Sequence, residues 1–351
     1  MTSRKYFYCV SIILFAFMLA NLILWHGYIK KIFNQGEMYR MANYPGTSPQ
    51  TPGKKYSRHR TELKDYLSGL SKESFDVITI GDSFSNTPFQ NYLEEQYNLN
   101  ILNARFNKDC LIDLYILIQS GLLDEIKPKA VIIESVARSV PIRLGQVKED
   151  LPEINRAQAE KIIFAPRTNT AARISSSLIP PVMTNRNINF VYYRICNYVF
   201  GSDRLSPDTY IAKLDRNLFT NSGQENLLLY YYEDLLYLNK RFNSETAGFN
   251  LNKAAKLLAS RNIKLIFMPC VDKYDLYYPY IINKRNRPEN NLFTQLENLE
   301  IKANNYSFIN TKKILRNALE RGEKDLYWAG DTHWSWRGWE IVCDELVKKL
   351  Q

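Results

Sequence analysis

Apolar residues run without a charge from Tyr6 to Trp25, YFYCVSIILFAFMLANLILW, with only Ser11 and Asn21 clearly polar. At about 1.5 Å rise per residue these twenty residues span roughly 30 Å as a helix, the thickness of a bilayer core. Arg4 and Lys5 precede the run, and no small-x-small cleavage site follows it. That pattern favours an uncleaved signal anchor over a removed peptide. The other reading, a buried core helix, is the weaker one. A helix apolar on every side at a chain terminus rarely finds a core to enclose it.

Further along, the periodicity switches repeatedly between strand and helix. Breakers Pro45, Gly46, Pro49, Pro52 and Gly53 mark a linker, and a helical stretch follows from Glu62 to Leu70. Phe75 to Ile80 reads as a short buried strand ending at Gly81, and Asn98 to Leu102 as a second. Leu111, Leu114, Tyr115, Ile118 and Leu122 form a helical stripe. Ala130 to Glu134, AVIIE, is the near-continuous apolar run of a strand covered on both faces. Residues 141–245 then break the alternation with Pro180-Pro181, polar loops and a Tyr/Leu-rich helix from Leu227 to Leu238. Alternation resumes with a helix near 251–260, a strand from Ile263 to Met268, a helix near 291–303 and a strand from Tyr306 to Ile309. Trp339, Val342, Cys343, Leu346 and Leu350 give the last helix its apolar face.

Strands separated by helices predict an α/β sandwich with a mainly parallel sheet, whose active site lies beyond the carboxyl ends of its strands. The expected organisation is a membrane anchor over 1–28, a basic linker over 29–60, and an α/β domain over 61–351 with an insertion, or small subdomain, at about 141–245.

Charge changes the reading of partners. The chain carries +10, but residues 1–60 hold nine Lys/Arg against Glu37 alone, leaving +2 for the remainder. The basic excess is juxtamembrane, which fits anionic lipid near the anchor rather than nucleic acid. Arg4 and Lys5 on one side and Lys30, Lys31 and Arg40 on the other nearly cancel as an orientation signal. The five cysteines, Cys9, Cys110, Cys196, Cys270 and Cys343, show no metal-ligand spacing. No His pair exists in the body, and Asp82 with Asp331 is an inadequate ligand set, so no metal is expected. Tyr is frequent at 24 residues, with clusters such as Tyr230–Tyr232 and Tyr277-Tyr278, which suits glycan-facing or interface surfaces and half-buried packing equally.

Two motifs carry chemistry. Gly81-Asp82-Ser83-Phe84-Ser85 follows the first strand: a tight turn, then a helix start aiming N–H groups beside a serine. The same residues also suit a plain N-cap. Asp331-Thr332-His333-Trp334 sits near the C-terminus, where residues two apart in an extended loop project to one side. Asp331 can then hold the Nδ1 side of His333 while Nε2 faces a serine. A solvated Asp beside a packed His is the plainer alternative. Of three histidines, His26 abuts the apolar run and His59 lies in the linker, so His333 is the one base available in the body.

GDSFS after a strand, paired with DTHWSWRG, resembles the SGNH-hydrolase superfamily, and more narrowly its alginate O-acetyltransferase-like branch with a D-x-H pair. Glu134–Arg138 after the third strand and Met268–Tyr274 after the fourth add to the likeness, which covers roughly residues 75–140 and 260–350. The resemblance implies an SGNH-like sandwich with Ser83, His333 and Asp331 as triad, needing no cofactor. It implies an extracytoplasmic O-acetyltransferase that modifies a cell-surface polysaccharide through an acyl-serine, its acetyl groups supplied through a membrane-bound O-acyltransferase. An acyl esterase of the same fold and a non-catalytic membrane assembly factor are the alternatives. Asn103–Lys108 departs from the Gly-containing oxyanion loop of related sequences. Asn103 or Asn107 is the candidate side-chain donor there, and Asn107, Arg138, Lys273 and Tyr274 are the candidate substrate-binding residues. Arg138 and Lys273 suit structural ion pairs with Glu134 or Asp272 as well. Trp334, Trp336 and Trp339 suit sugar stacking, or, more commonly, packing of the last helix.

Overall fold

The apolar runs of the body become strands of one parallel sheet. The computed structural model describes residues 3–24, 26–27, 36–42, 44, 61–71, 74–85, 87–107, 109–146, 153–165, 185–236, 238, 242–302 and 305–350. In chain order the strands are β1 (Val77–Ile80), β2 (Ile101–Asn103), β3 (Ala130–Val136), β4 (Thr209–Lys213), β5 (Leu227–Tyr231), β6 (Lys264–Cys270) and β7 (Ser307–Phe308).

The large sheet is ordered β2-β1-β3-β6-β7 and is parallel throughout. Val77 sits opposite both Ile101 and Ala130, and Ala130 opposite Lys264. Every residue of β1, β2 and β3 is buried, which requires helices on both faces. On one side Trp336–Leu350 packs against Thr87–Tyr97 and Thr311–Glu320. The hydroxyls of Tyr92 and Tyr97 both donate to Asp344 Oδ1 at 2.7 Å, pinning the last helix to Thr87–Tyr97. A second group joins Ser244–Ala259 to Cys110–Gln119 and Leu292–Lys302. Fully buried aliphatic side chains such as Ile132, Ile133 and Leu346 contribute about 1.5–3 kcal/mol each to this packing. Strand order reverses between β1 and β3, because β2 continues on one side and β6 on the other. The crevice beyond the carboxyl ends of β1 and β3 is therefore where a ligand fits such a sheet.

The chain divides into two compact units. Gly53–Thr168, Glu233–Trp328 and His333–Gln351 form the unit with the parallel sheet. Met1–Pro52, Asn169–Tyr232 and Ala329–Thr332 form the other. In the latter, β4 and β5 pair antiparallel, with the rings of Tyr210 and Tyr230 stacked 5.6 Å apart. Helix Glu37–Ala42 lays Met38, Tyr39 and Ala42 against Leu205 and Leu229. The Met38 N–H donates to Gly330 O at 2.8 Å, and a Cβ at Gly330 would meet the Tyr39 ring at 2.3 Å, so this close approach requires glycine. Thr332 Oγ1 donates to Glu37 Oε2 at 3.0 Å. The helix Ser3–Leu24 belongs to the same unit, and its window from Arg4 to Leu24 is long and apolar enough to cross a membrane, with none of it buried.

The α/β alternation expected from the sequence is present, with strand ends moved by a few residues. One expectation fails: Leu227–Leu238 is not a helix. Its first half is β5, and Glu233–Leu236 forms one short helical turn after it. A run of Leu and Tyr fits either period, and the antiparallel partner β4 decides it by satisfying the backbone and stacking tyrosines across the strands. The predicted linker over 29–60 lies outside the described residues except for 36–42 and 44, and Pro180-Pro181 lies outside them too.

Candidate active site

Ser83 opens a 3-10 turn, Ser83–Ser85, directly beyond β1, and the helix Thr87–Tyr97 follows. Glu134 lies directly against this turn. A Cβ at Gly81 would come within 2.5 Å of both Cβ and Oε2 of Glu134, so the strand end can lie against that carboxyl only as glycine. Glu134, on β3, accepts from Ser85 N at 3.2 Å and from Cys270 Sγ at 3.4 Å. Burial, then the nearby Asp82 carboxylate, raises the Glu134 pKa to about 8, so it holds its proton at neutral pH.

Asp82 does the anchoring. Its carboxylate accepts from both terminal nitrogens of Arg143, 2.8 Å on the Oδ1 side, and from Val136 N at 3.1 Å. Arg105 approaches Oδ1 at 3.2 Å. Burial pushes Asp82 upward, but Arg143, Arg105 and the Val136 N–H outweigh it and hold the carboxyl below its ordinary range. Arg143 also donates to Ser135 Oγ at 2.9 Å. The residue before the serine is thus tied to the carboxyl end of β3 and to the helix Val140–Arg143 that follows it.

His333 reaches the same place from the far end of the chain. Its Nε2 lies 2.6 Å from Ser83 Oγ, so with the ring proton on Nδ1 the serine hydroxyl donates to Nε2. Both residues are half-buried. The imidazole ring lies 5.2 Å from Phe84, which also contacts Trp334 at 4.9 Å, and Trp334 meets Trp339 at 4.8 Å. Backbone pairing holds the histidine as well: Trp328 N donates to His333 O at 3.2 Å and Ser335 N to Leu326 O at 3.0 Å. Asp331 is half-buried, two residues before His333, in the Ala329–Thr332 segment of the other unit.

The candidate substrate contacts are placed differently. Asn107 lines a cleft with Asp82, Arg105 and Arg143, yet its N–H donates to Asp113 at 3.0 Å and its side chain bonds the same carboxyl. Asn103 Nδ2 donates to Thr79 Oγ1 at 3.2 Å. Arg138 makes ion pairs with Asp272 at 2.8 Å, Asp234 at 3.2 Å and Glu233 at 3.3 Å, tying the loops after β3 and β6 together. Of the two partners read from the sequence, Asp272 is therefore the one it pairs with. Lys273 is buried and its Nζ donates to Trp328 O at 2.8 Å, beside the peptide that holds His333. Tyr274 is 1% exposed, which leaves it no surface for a substrate in this conformation. Tyr277 and Tyr280 are buried too, so of the Tyr277-Tyr278 cluster only Tyr278 keeps some surface. Trp334 and Trp339 are likewise core residues, and Trp336 is half-buried. Packing, not sugar contact, fixes Trp334 and Trp339, whose rings meet each other and Phe84.

Arg143 is a functional residue that no motif in the sequence marks. Its signal was faint, a lone basic residue shortly after the β3 run, and its partner Asp82 is 61 positions away.

No family model matches the chain, and no curated protein matches it. Among solved structures it is similar to a GDSL-like lipase from Bacteroides thetaiotaomicron, with 9% identity over 82% of this chain and 95% of that one, at a TM-score of 0.37. A second similar structure, described as a GDSL-like lipase from Parabacteroides merdae, shows 12% identity over 80% of this chain and 98% of that one, at a TM-score of 0.34.

Proposed function

We propose that this chain is a membrane-anchored serine enzyme that moves an acyl group, acetyl above all, onto a hydroxyl of a cell-surface glycan. The observation that carries the reading is the 2.6 Å approach of His333 Nε2 to Ser83 Oγ at the carboxyl end of the parallel sheet. A non-catalytic assembly factor has no need to hold a serine, a histidine and the anchored turn beneath them in that register.

In the proposed cycle His333 Nε2 takes the Ser83 proton as Oγ attacks the donor carbonyl, and the imidazolium returns the proton to the leaving group. Acetyl-Ser83 remains. A glycan hydroxyl then enters, gives its proton to Nε2 and attacks the ester carbonyl, and Ser83 leaves with the proton. The N–H of Ser83 begins a 3-10 turn, so it lacks an acceptor within the turn and is our candidate oxyanion donor. Asp331 is assigned the orienting role at Nδ1 on its two-residue spacing from His333. Arg138 and Lys273 act on the loops, through their ion pairs and the Trp328 carbonyl, and not on the substrate.

The apolar Ser3–Leu24 helix supports anchoring, with the parallel-sheet unit outside the membrane and anionic lipid beside the basic juxtamembrane stretch. Acetyl reaches Ser83 in this reading from a membrane-bound O-acyltransferase. Turnover of an acetyl ester by the full-length protein in detergent, with Ser83→Ala as comparison, tests it. Equal turnover by the two proteins sinks the proposal.

A further inference from the structure

The helix Asn185–Phe200 is built inside out for a water-soluble protein. Ile188, Val191, Tyr192, Ile195, Tyr198 and Val199 fall at the i, i+3, i+4, i+7 spacing of one helical face. That face is exposed, from 47% at Val191 to 81% at Tyr198. The opposite face is mixed, and its Phe190, Tyr193, Arg194 and Asn197 are half-buried. There Asn197 Nδ2 donates to Ser202 O at 2.5 Å, and the Arg194 guanidinium lies 4.8 Å above the Tyr44 ring. A surface helix in water shows the reverse arrangement.

Two further observations say what covers the stripe. First, its Ile188, Val191, Tyr192 and Ile195 line one groove, of about 490 Å3, together with Phe17, Ala20, Asn21 and Leu24 of the Ser3–Leu24 helix. The stripe is therefore continuous with the carboxyl-terminal third of the segment that is long and apolar enough to cross a membrane. Second, the helix contains two arginines and no acidic residue, as anionic headgroups favour. Its sixteen residues reach about 24 Å, short of the roughly 30 Å of a bilayer core, so it cannot span. Tyrosines are at home at the headgroup level.

We propose that Asn185–Phe200 is an interfacial helix that lies in the plane of an anionic bilayer, its stripe roughly 5–10 Å below the headgroups beside the anchor. This deepens the anchored reading and rests on it. The consequence is a second membrane contact, so that the unit carrying Glu37–Ala42 and the Ala329–Thr332 segment is held against the bilayer and not merely tethered to it.

The test uses the full chain with Cys9→Ser and Cys196→Ser, reconstituted in vesicles of phosphatidylcholine and phosphatidylglycerol. An environment-sensitive fluorophore is placed through Val199→Cys, through Leu14→Cys in the anchor, or through Arg216→Cys as an exposed control. A nitroxide on the upper acyl chain quenches lipid-immersed labels. The expected result is strong quenching at 199 and 14 and little at 216. Quenching at 14 but not 199 overturns the interfacial helix and leaves the anchor intact. Quenching at 199 alone keeps the interfacial helix and removes the anchor, and quenching at neither removes both. Disulfide-linked dimers of unlabelled Val199→Cys without quenching put a second copy of the chain on the stripe and also overturn the proposal.

Discussion

His333 Nε2 and Ser83 Oγ meet at 2.6 Å although 250 positions separate them in the chain. Everything around the pair serves that distance: Asp82 fixes the serine turn from below, and Phe84, Trp334 and Trp339 clamp the histidine loop from the side. Ser83→Ala and His333→Ala should each lower acyl transfer by roughly 10⁴-fold or more, with melting temperatures close to the parent. The double variant should be no slower than either single one, because the two groups act as a unit. Asp331→Asn should also lose orders of magnitude, as the ring tautomer inverts. Steady-state rates beside thermal melts decide all of these, and a near-normal rate from folded Ser83→Ala ends the triad reading.

The turn that carries Ser83 is expected to be intolerant at Gly81. A methyl group there would stand 2.5 Å from the Glu134 side chain, and overpacking of this kind costs typically about 1–3 kcal/mol. Gly81→Ala should therefore melt earlier and react more slowly, since the shift is delivered one bond network away from Ser83. Unchanged stability and rate together would show that the turn relaxes freely.

Asp82 and Arg143 form a pair with side-chain exposures of 11% and 14%. Removing one partner leaves a largely buried charge, which costs about 3–5 kcal/mol, whereas removing both with well-packed neutral residues costs much less. Arg143→Met should be the most damaging single change at this site, and Asp82→Asn in the same chain should recover part of the loss. Denaturant titration of the two singles and the double gives the coupling directly. Purely additive losses would mean that Arg105 alone carries the carboxylate.

Glu134 should give stability a pH dependence whose sign follows from its burial. Its folded pKa, about 8, lies above the ordinary 4.5, so the folded state holds the proton more tightly. That contribution is complete below about pH 4.5 and is lost as the pH rises through about 8. Asp82, held below its ordinary value, works the other way and loses its contribution only as the pH falls through the acid range. Denaturant midpoints across the neutral range should fall with rising pH in the parent and fall less steeply in Glu134→Gln, where the raised Asp272 carboxyl still contributes. A midpoint that rises with pH in the parent contradicts the buried, protonated carboxyl.

Much of this was legible before any coordinates. Runs such as AVIIE at 130–134 are apolar because both faces are covered, so they announced a parallel sheet. A serine beyond the first strand and an Asp-x-His before the last helix were local patterns with one chemical use in common. What sequence could not supply were contacts made by closure of the chain. Asp82 meets Arg143 only because β1 and β3 are neighbours, and Lys273 finds the Trp328 carbonyl only because two loops converge. For the same reason Lys273 and Tyr274 looked available to a substrate, although folding buries both. The helix Asn185–Phe200 is weakly marked in the sequence because its apolar stripe is interrupted by polar residues and points to no core.

The remaining prediction separates transfer from hydrolysis. Both begin with acetylation of Ser83, so the outcome depends on whether a sugar hydroxyl or water reaches the ester next. A transferase must bind its acceptor through contacts that tighten in the transition state, since water is far more abundant. The buried rings of Trp334, Trp339 and Tyr274 are not available for that purpose, whereas half-buried Trp336 and Tyr278 are among the aromatic side chains of the parallel-sheet unit that keep some surface. An oligosaccharide acceptor should raise acetyl-donor consumption and capture most of the acetyl as sugar ester, and Trp336→Ala or Tyr278→Ala should raise the acceptor KM while leaving the burst of Ser83 acetylation unchanged. Product analysis by mass spectrometry reads both. Free acetate alone, released at a rate indifferent to every acceptor, would make the chain an esterase with the same serine and histidine.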